Sequence, residues 1–211
     1  MNMKKKASRK PAQLAPIADF LYEVGMLAKT PRSGFFFLGS GRQSVSEHIT
    51  RTAYIGYALA MLENKNGGTV DAREVMKLCL FHDLGEARTS DLNYVHQKYA
   101  VAAEDKALVE LTAKLPFGAD ILKTFRTFEE RKTPEAQLAK DADQLELILS
   151  LREQADIGNK KAHDWLPNAL KRLKSPVAQE LAKAIMQTHS DNWHFPQKND
   201  AWWVSRNGLK K

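Results

Sequence analysis

Residues 81–92 read FHDLGEARTSDL, and they close the apolar run VMKLCL with one histidine and three acidic residues. If VMKLCLFHDLGEA is helical, His82 and Asp83 lie side by side near its C-terminal end. Glu86 then follows at i+4 and i+3 from them, on the same surface. Acidic side chains are disfavoured at that end, where the helix dipole already places partial negative charge. Either a cation or several hydrogen-bond donors must offset them.

Working outward, helical periodicity dominates and alternating strand patterns are nearly absent. A first helix is expected over about residues 14–29, ending before Pro31, and PRSGFFFLGSGRQ reads as a loop rich in glycine and aromatics. Ser44 and Glu47 have capping-box spacing and open a second helix to about Asn64. Asp71 can cap a third, which runs into the opening stretch. Helices near 101–115 and 117–130 follow, then a long one from Pro134 to about 156, and two more near 160–173 and 175–189. The pattern predicts an all-α, single-domain orthogonal helical bundle. Its expected divisions are a basic N-terminal tail at 1–12, a helical domain at 13–190 and a Trp-rich C-terminal tail at 191–211.

With 211 residues the chain can bury one sizeable core, and its 43% hydrophobic and 27% charged content is ordinary for a globular protein. The net charge of +7 is confined to the ends. Lys4, Lys5, Lys6, Arg9 and Lys10 carry +5. Lys198, Arg206, Lys210 and Lys211 against Asp191 and Asp200 give +2, so residues 11–190 are neutral. A basic groove for nucleic acid is therefore not expected in the body of the protein. The longest apolar runs, such as YIGYALAML, are too short to span a bilayer. MNMKKKASRK looks like a signal-peptide start, but Asp19 and Glu23 interrupt the apolar segment that secretion needs. The single cysteine, Cys79, rules out an internal disulfide, and a cytoplasmic location fits best.

Polar groups break into the apolar stripes of three helices. His48 lies on the line Val45, Thr52, Ile55, Leu59, Leu62, and His82 continues the line Val75, Leu78, Cys79 with Asp83 beside it. In TPEAQLAKDADQLELILS, Asp141 falls on the stripe Leu138–Leu145–Ile148 and Asp143 on Ala136–Ala139–Leu147. Periodicity does not choose between the two aspartates, although the small residues at 136 and 139 leave room beside Asp143. A lone buried histidine is ordinarily a hydrogen-bonded core residue. Three helices each sending an imidazole or carboxylate inward point instead to a divalent ion such as Mn, Co, Fe, Zn or Mg.

These residues resemble the HD-domain metal-dependent phosphohydrolases. RSGFFFLGSGRQSVSEH, HDLGEARTSDL and EAQLAKDADQLELIL are similar, in order and spacing, to segments of the 5′-deoxynucleotidase branch, and the likeness spans about residues 14–157. The resemblance implies one divalent metal ion held by His48, His82, Asp83 and Asp143. It implies Glu86 as the catalytic glutamate with Asp91 following it, and Arg32 and Phe35 in a loop that contacts the nucleotide. Ser90 departs from the glycine common before the aspartate, and Phe35 from a common tryptophan.

The activity implied is release of phosphate from a (deoxy)nucleoside 5′-monophosphate, with a homodimer expected from the family. Two other readings stand beside it. One keeps the site and changes the substrate to a triphosphate, a guanosine alarmone or a cyclic nucleotide. The other is a non-catalytic metal-bound nucleotide- or nucleic-acid-binding module that uses the basic tails. The phenylalanine run reads mainly as core packing, with at most one ring at the ligand.

Overall fold

The computed structural model describes residues 11–194. The basic segment 1–10 and residues 195–211, which include Trp202 and Trp203, lie outside the described residues. Among the described residues the chain is helical, and its only β-type pairing is a bridge between Pro31 and Ser44.

Helix α1 covers Pro11–Val24 and tightens into a 3₁₀ turn at Gly25–Ala28, so the single helix expected over 14–29 starts earlier and ends in a different geometry. The segment expected to be all loop contains one helical turn, α2 at Phe35–Leu38, ended by Gly39 at φ 81°. Helix α3, Val45–Lys65, opens on the expected capping box: Glu47 N–H donates to Ser44 Oγ at 3.2 Å and Ser44 N–H to Glu47 Oε2 at 2.7 Å. Its buried line runs from Val45 through His48, Thr52 and Ile55 to Leu59, and Leu62 is exposed instead of continuing it.

Asp71 caps α4, Ala72–Phe81, by accepting from Arg73 N–H at 2.9 Å. The helix stops at Phe81, and Glu86–Thr89 forms a separate turn, α5. His82 and Asp83 thus sit at and just beyond a helix end rather than inside a helix that reaches Glu86. The remaining helices are α6 (Glu104–Thr112), α7 (Gly118–Glu130), α8 (Pro134–Asp156), α9 (Lys160–Leu170) and α10 (Pro176–Gln187).

Helix α8 is the axis of the fold, packing against α3, α4, α7, α9 and α10. Leu138, Ala139, Asp141, Ala142, Asp143, Leu145, Glu146 and Ile148 are all buried, so this helix has no solvent face along that stretch. The sequence stripes could not separate Asp141 from Asp143 for that reason: both point into protein, in different directions.

Two apolar clusters form. The larger joins α3, α4, α8, α9 and α10 around Leu59, Leu78, Leu145 and Ile148; the smaller gathers Phe20, Val45, Ile49, Leu84, Leu108 and Ile121. Each fully buried leucine of this kind contributes about 1.5–3 kcal/mol. His48 and His82 lie where the clusters meet, since Val45 and Leu84 belong to one and Ile55 and Cys79 to the other. Gly56 lets α3 and α4 approach closely, because a methyl group there would lie 2.7 Å from Cys79 Sγ. That crossing brings the two histidines together.

Between α5 and the loop after it, Ser90 adopts φ 64° and ψ 163°. This region is favourable for glycine and costs other residues about 1–3 kcal/mol. Ser90→Gly is therefore expected to raise the melting temperature by about 2–5 °C after allowing for the greater unfolded-state freedom of glycine. Thermal denaturation followed by circular dichroism checks it; a lower melting temperature would show that the serine side chain earns its conformation.

Candidate active site

Four side chains from three places in the chain converge. His48 Nε2 from α3 lies 3.3 Å from His82 Nε2 at the end of α4. Asp83 Oδ2 lies 3.4 Å from His48 Nε2 and 3.2 Å from His82 Nε2. Asp143 Oδ1, from α8, lies 3.3 Å from His48 Nε2 and 4.0 Å from His82 Nε2. One donor atom each from His48, His82 and Asp83 falls within 4.8 Å of the others, while Asp143 approaches the two histidines but lies outside that mutually close set.

The hydrogen bonds on the far side of each ring decide which nitrogen faces inward. His82 Nδ1 lies 2.8 Å from the Cys79 carbonyl oxygen, and His48 Nδ1 lies 2.6 Å from Glu146 Oε2. Both partners only accept, so in the neutral rings both Nδ1 atoms carry the proton and both Nε2 atoms present lone pairs. Two imidazole lone pairs 3.3 Å apart cannot hydrogen-bond to each other, and two carboxylates beside them add negative charge. A divalent cation is the group that satisfies such a set. Metal–ligand bonds of about 2.0–2.2 Å place neighbouring ligand atoms roughly 3–3.5 Å apart, and most of these separations fall in that range.

For the two carboxylates electrostatics agree in direction, whereas for His48 burial and Arg32 are outweighed by Asp143, Glu146 and Asp83, which raise the imidazole to about 9 in the metal-free protein. Burial opposes the charged form of Asp83, but His82, His48 and Arg32 outweigh it and hold the carboxyl well below the usual range. Asp143 is likewise held low against burial by Lys140 and the two histidines; Lys140 Nζ donates to its Oδ2 at 2.7 Å. Both carboxylates are charged donors at neutral pH.

Glu86 is 7% exposed, and its buried Oε2 has no hydrogen-bond partner. Burial, then the charges of Asp83 and Asp91, push its carboxyl up to about 10, with Arg32 opposing. It is not a surface partner of Arg88 or Arg51. Arg88 pairs with Glu23 and Glu110, and Arg51 with Glu146 and Glu153.

Asp91 ties two loops together. Its Oδ2 accepts from Ser33 N–H at 2.7 Å, and its carbonyl oxygen from Ser33 Oγ at 2.7 Å. The bridge that joins Pro31 to Ser44, with Arg32 N–H donating to the Gln43 carbonyl at 2.8 Å, fixes the neighbouring residue. Arg32 Nη1 then lies 3.3 Å from Asp83 Oδ2 and 3.9 Å from Asp91 Oδ1. The structure thus gathers Arg32, Glu86 and Asp91 around the His–Asp cluster.

Phe35 is half-buried against the larger core cluster, whereas Phe36 and Phe37 are exposed, so most of that run does not pack in the core as expected. Phe37 stands 6.2 Å from the Tyr94 ring, across the two loops that Ser33 and Asp91 join. Asp141 lies apart from the cluster. Its carboxylate accepts from the backbone N–H groups of Lys174 and Ser175 at 2.9 and 2.7 Å, holding the approach to α10.

One buried group was not singled out from the sequence. Glu146 is 1% exposed and contacts His48 from behind. Its signal is the line Asp143, Glu146, Ser150, Glu153, a polar stripe at spacings of three and four on a helix otherwise buried all round.

The HD domain family model matches residues 24–186. A 5′-deoxynucleotidase from Dictyostelium discoideum is 32% identical over 143 residues, covering 64% of this chain and 75% of that protein. A 5′-deoxynucleotidase from Vibrio vulnificus (strain YJ016) is 33% identical over 149 residues, covering 65% and 73%. Among solved structures, a conserved hypothetical protein from Pyrococcus furiosus superposes with a TM-score of 0.73 at 31% identity, covering 81% of this chain and 99% of that one.

Proposed function

The chain belongs to the HD-domain family, and from that premise we propose that it is a metal-dependent phosphohydrolase releasing phosphate from (deoxy)nucleoside 5′-monophosphates. The observation that carries the reading is the convergence of His48, His82, Asp83 and Asp143 beside a buried, unpartnered Glu86 Oε2. His48 Nε2, His82 Nε2 and the two aspartates would hold one divalent ion, with Mn, Co, Fe, Zn and Mg all compatible with imidazole plus carboxylate donors. When bound, such an ion supplies Lewis acidity, lowering the pKa of water and taking up charge on the phosphoryl group.

The protein's own groups do the rest. In its ionised form, which positive charge offsetting Asp83 and Asp91 favours, Glu86 accepts the proton of the attacking water at Oε2, an atom no other group occupies. Arg32, held beside Asp83, offers two parallel N–H donors to phosphate oxygens. Asp91 uses Oδ2 to hold the Ser33 amide, which leaves Oδ1 for the substrate side. Phe35 and its exposed neighbours border the same loop and offer apolar surface to the nucleoside. Among the described residues no helix is long and apolar enough to cross a membrane. The single cysteine, buried, accords with a cytoplasmic enzyme.

Phosphate release from a panel of nucleotides with Mn, Co or Mg tests the reading. Turnover of 5′-monophosphates, with deoxyribonucleotides among the substrates, is the expected result. Turnover confined to triphosphates, alarmones or cyclic nucleotides would overturn the substrate class.

A further inference from the structure

We infer that Glu146 is a positioning residue for the metal centre: it fixes which nitrogen of His48 faces the cation, and Gln43 and Arg51 hold it in place for that task. The inference rests on the metal-site reading above. His48 is fully buried, and the neutral ring by itself modestly favours a proton on Nε2, so a partner at Nδ1 is needed to leave Nε2 bare. Glu146 Oε2 lies 2.6 Å from Nδ1 and can only accept, which leaves the Nε2 lone pair toward His82, Asp83 and Asp143.

The two oxygens of Glu146 divide their partners. Oε1 accepts from Gln43 Nε2 at 2.6 Å, Arg51 Nε at 2.9 Å, Arg51 Nη2 at 2.7 Å and Ser150 Oγ at 3.2 Å. Oε2 is left to the imidazole. A carboxylate that is 1% exposed would be costly if unpaired, and these donors offset that cost while fixing its orientation. Arg51 Nη1 reaches on to Glu153 Oε1 at 2.5 Å, so a continuous polar chain runs from the α8 surface to a metal ligand.

The other histidine makes the arrangement testable. His82 Nδ1 is satisfied by the backbone carbonyl of Cys79, which no side-chain substitution removes. Of the two imidazoles, only His48 has a replaceable side chain as its Nδ1 partner.

A plain helix–helix clasp between α3 and α8 is the competing account. Glu146→Gln separates the two. The amide keeps the volume and can leave its oxygen with Arg51 and Gln43, which turns an NH₂ toward His48 Nδ1. That nitrogen must then accept, the ring proton moves to Nε2, and the lone pair is withdrawn from the metal position.

Competition with a chromophoric chelator should show Mn²⁺ binding weakened by about 10–100-fold in Glu146→Gln. The metal-free melting temperature falls in either account, because the amide removes the charge that Arg51 pairs with, so Mn²⁺ affinity is compared where both proteins are folded. ¹⁵N NMR of the histidines, recorded at a pH where the His48 ring is neutral, should show its proton moved from Nδ1 to Nε2. Equal Mn²⁺ affinity with an unmoved proton would overturn the role of Glu146. Should Glu146→Gln not fold, Arg51→Met removes two donors to Oε1 and leaves Glu146 in place. It is expected to weaken Mn²⁺ binding in the same direction by less, and unchanged binding would equally overturn the role. Failure of the unmodified chain to bind Mn²⁺ would overturn the metal-site reading itself, an outcome distinct from equal binding by both proteins.

Discussion

Asp83→Ala is expected to reduce phosphate release from a nucleoside 5′-monophosphate by about a thousandfold or more, because the divalent ion is lost with it. A bound dication stabilises transition-state charge by several kcal/mol, and about 4 kcal/mol corresponds to roughly three powers of ten in rate. Asp83 is central to that effect. Its Oδ2 lies within 3.4 Å of both histidine Nε2 atoms and 3.3 Å from Arg32. Alanine removes one of two carboxylates that offset the dication and leaves Arg32 beside the two imidazoles, where positive charge repels an incoming metal. Asp83 lies beyond the last residue of α4, so its loss need not break the helix. Steady-state rates at saturating Mn²⁺, with the metal content of the same preparation, check the prediction. Activity within tenfold of the unmodified chain would remove Asp83 from the site.

Glu86→Gln is expected to separate chemistry from metal binding. The amide has the same shape and can still donate a hydrogen bond, but it cannot take a proton from water. Loss of a general base costs about 10²–10⁴-fold in kcat, with the metal content and KM little changed. Glu86 is 7% exposed, and in the metal-free protein its carboxyl is pushed up to about 10 by burial and by Asp83 and Asp91, against Arg32. It is therefore neutral at pH 7 before a cation arrives. Replacing it with a neutral amide should leave the melting temperature of the metal-free protein nearly unchanged. A kcat within tenfold of the unmodified value would exclude Glu86 as the base.

The sequence was most informative where local chemistry and core direction coincide. Ser44 and Glu47 announce the start of α3 by their spacing, and Asp71 the start of α4, because caps are local hydrogen bonds that the structure retains. His48 and His82 stood out because an imidazole interrupts an apolar stripe whose other members, Leu62 apart, are buried. Asp141 and Asp143 were not separable by period, since α8 buries its circumference between neighbours on both sides. Only tertiary packing sends one carboxylate to the N–H groups before α10 and the other to His48.

Glu146 was missed for the opposite reason. A glutamate in LELIL looks like a solvent-facing residue, and its partners Gln43 and Arg51 are about a hundred positions away. The phenylalanine run misled as well, because apolar character alone does not distinguish core rings from exposed ones. Phe36 and Phe37 face out beside a loop stitched to Asp91.

The claim that three separate helices assemble one cation site is tested most directly by counting metal ions per chain in Mn²⁺-loaded Asp143→Ala and Asp141→Asn, beside the unmodified protein. One ion per unmodified chain, absent from Asp143→Ala and retained by Asp141→Asn, is the predicted result. An ion retained by Asp143→Ala and lost from a folded Asp141→Asn would contradict it.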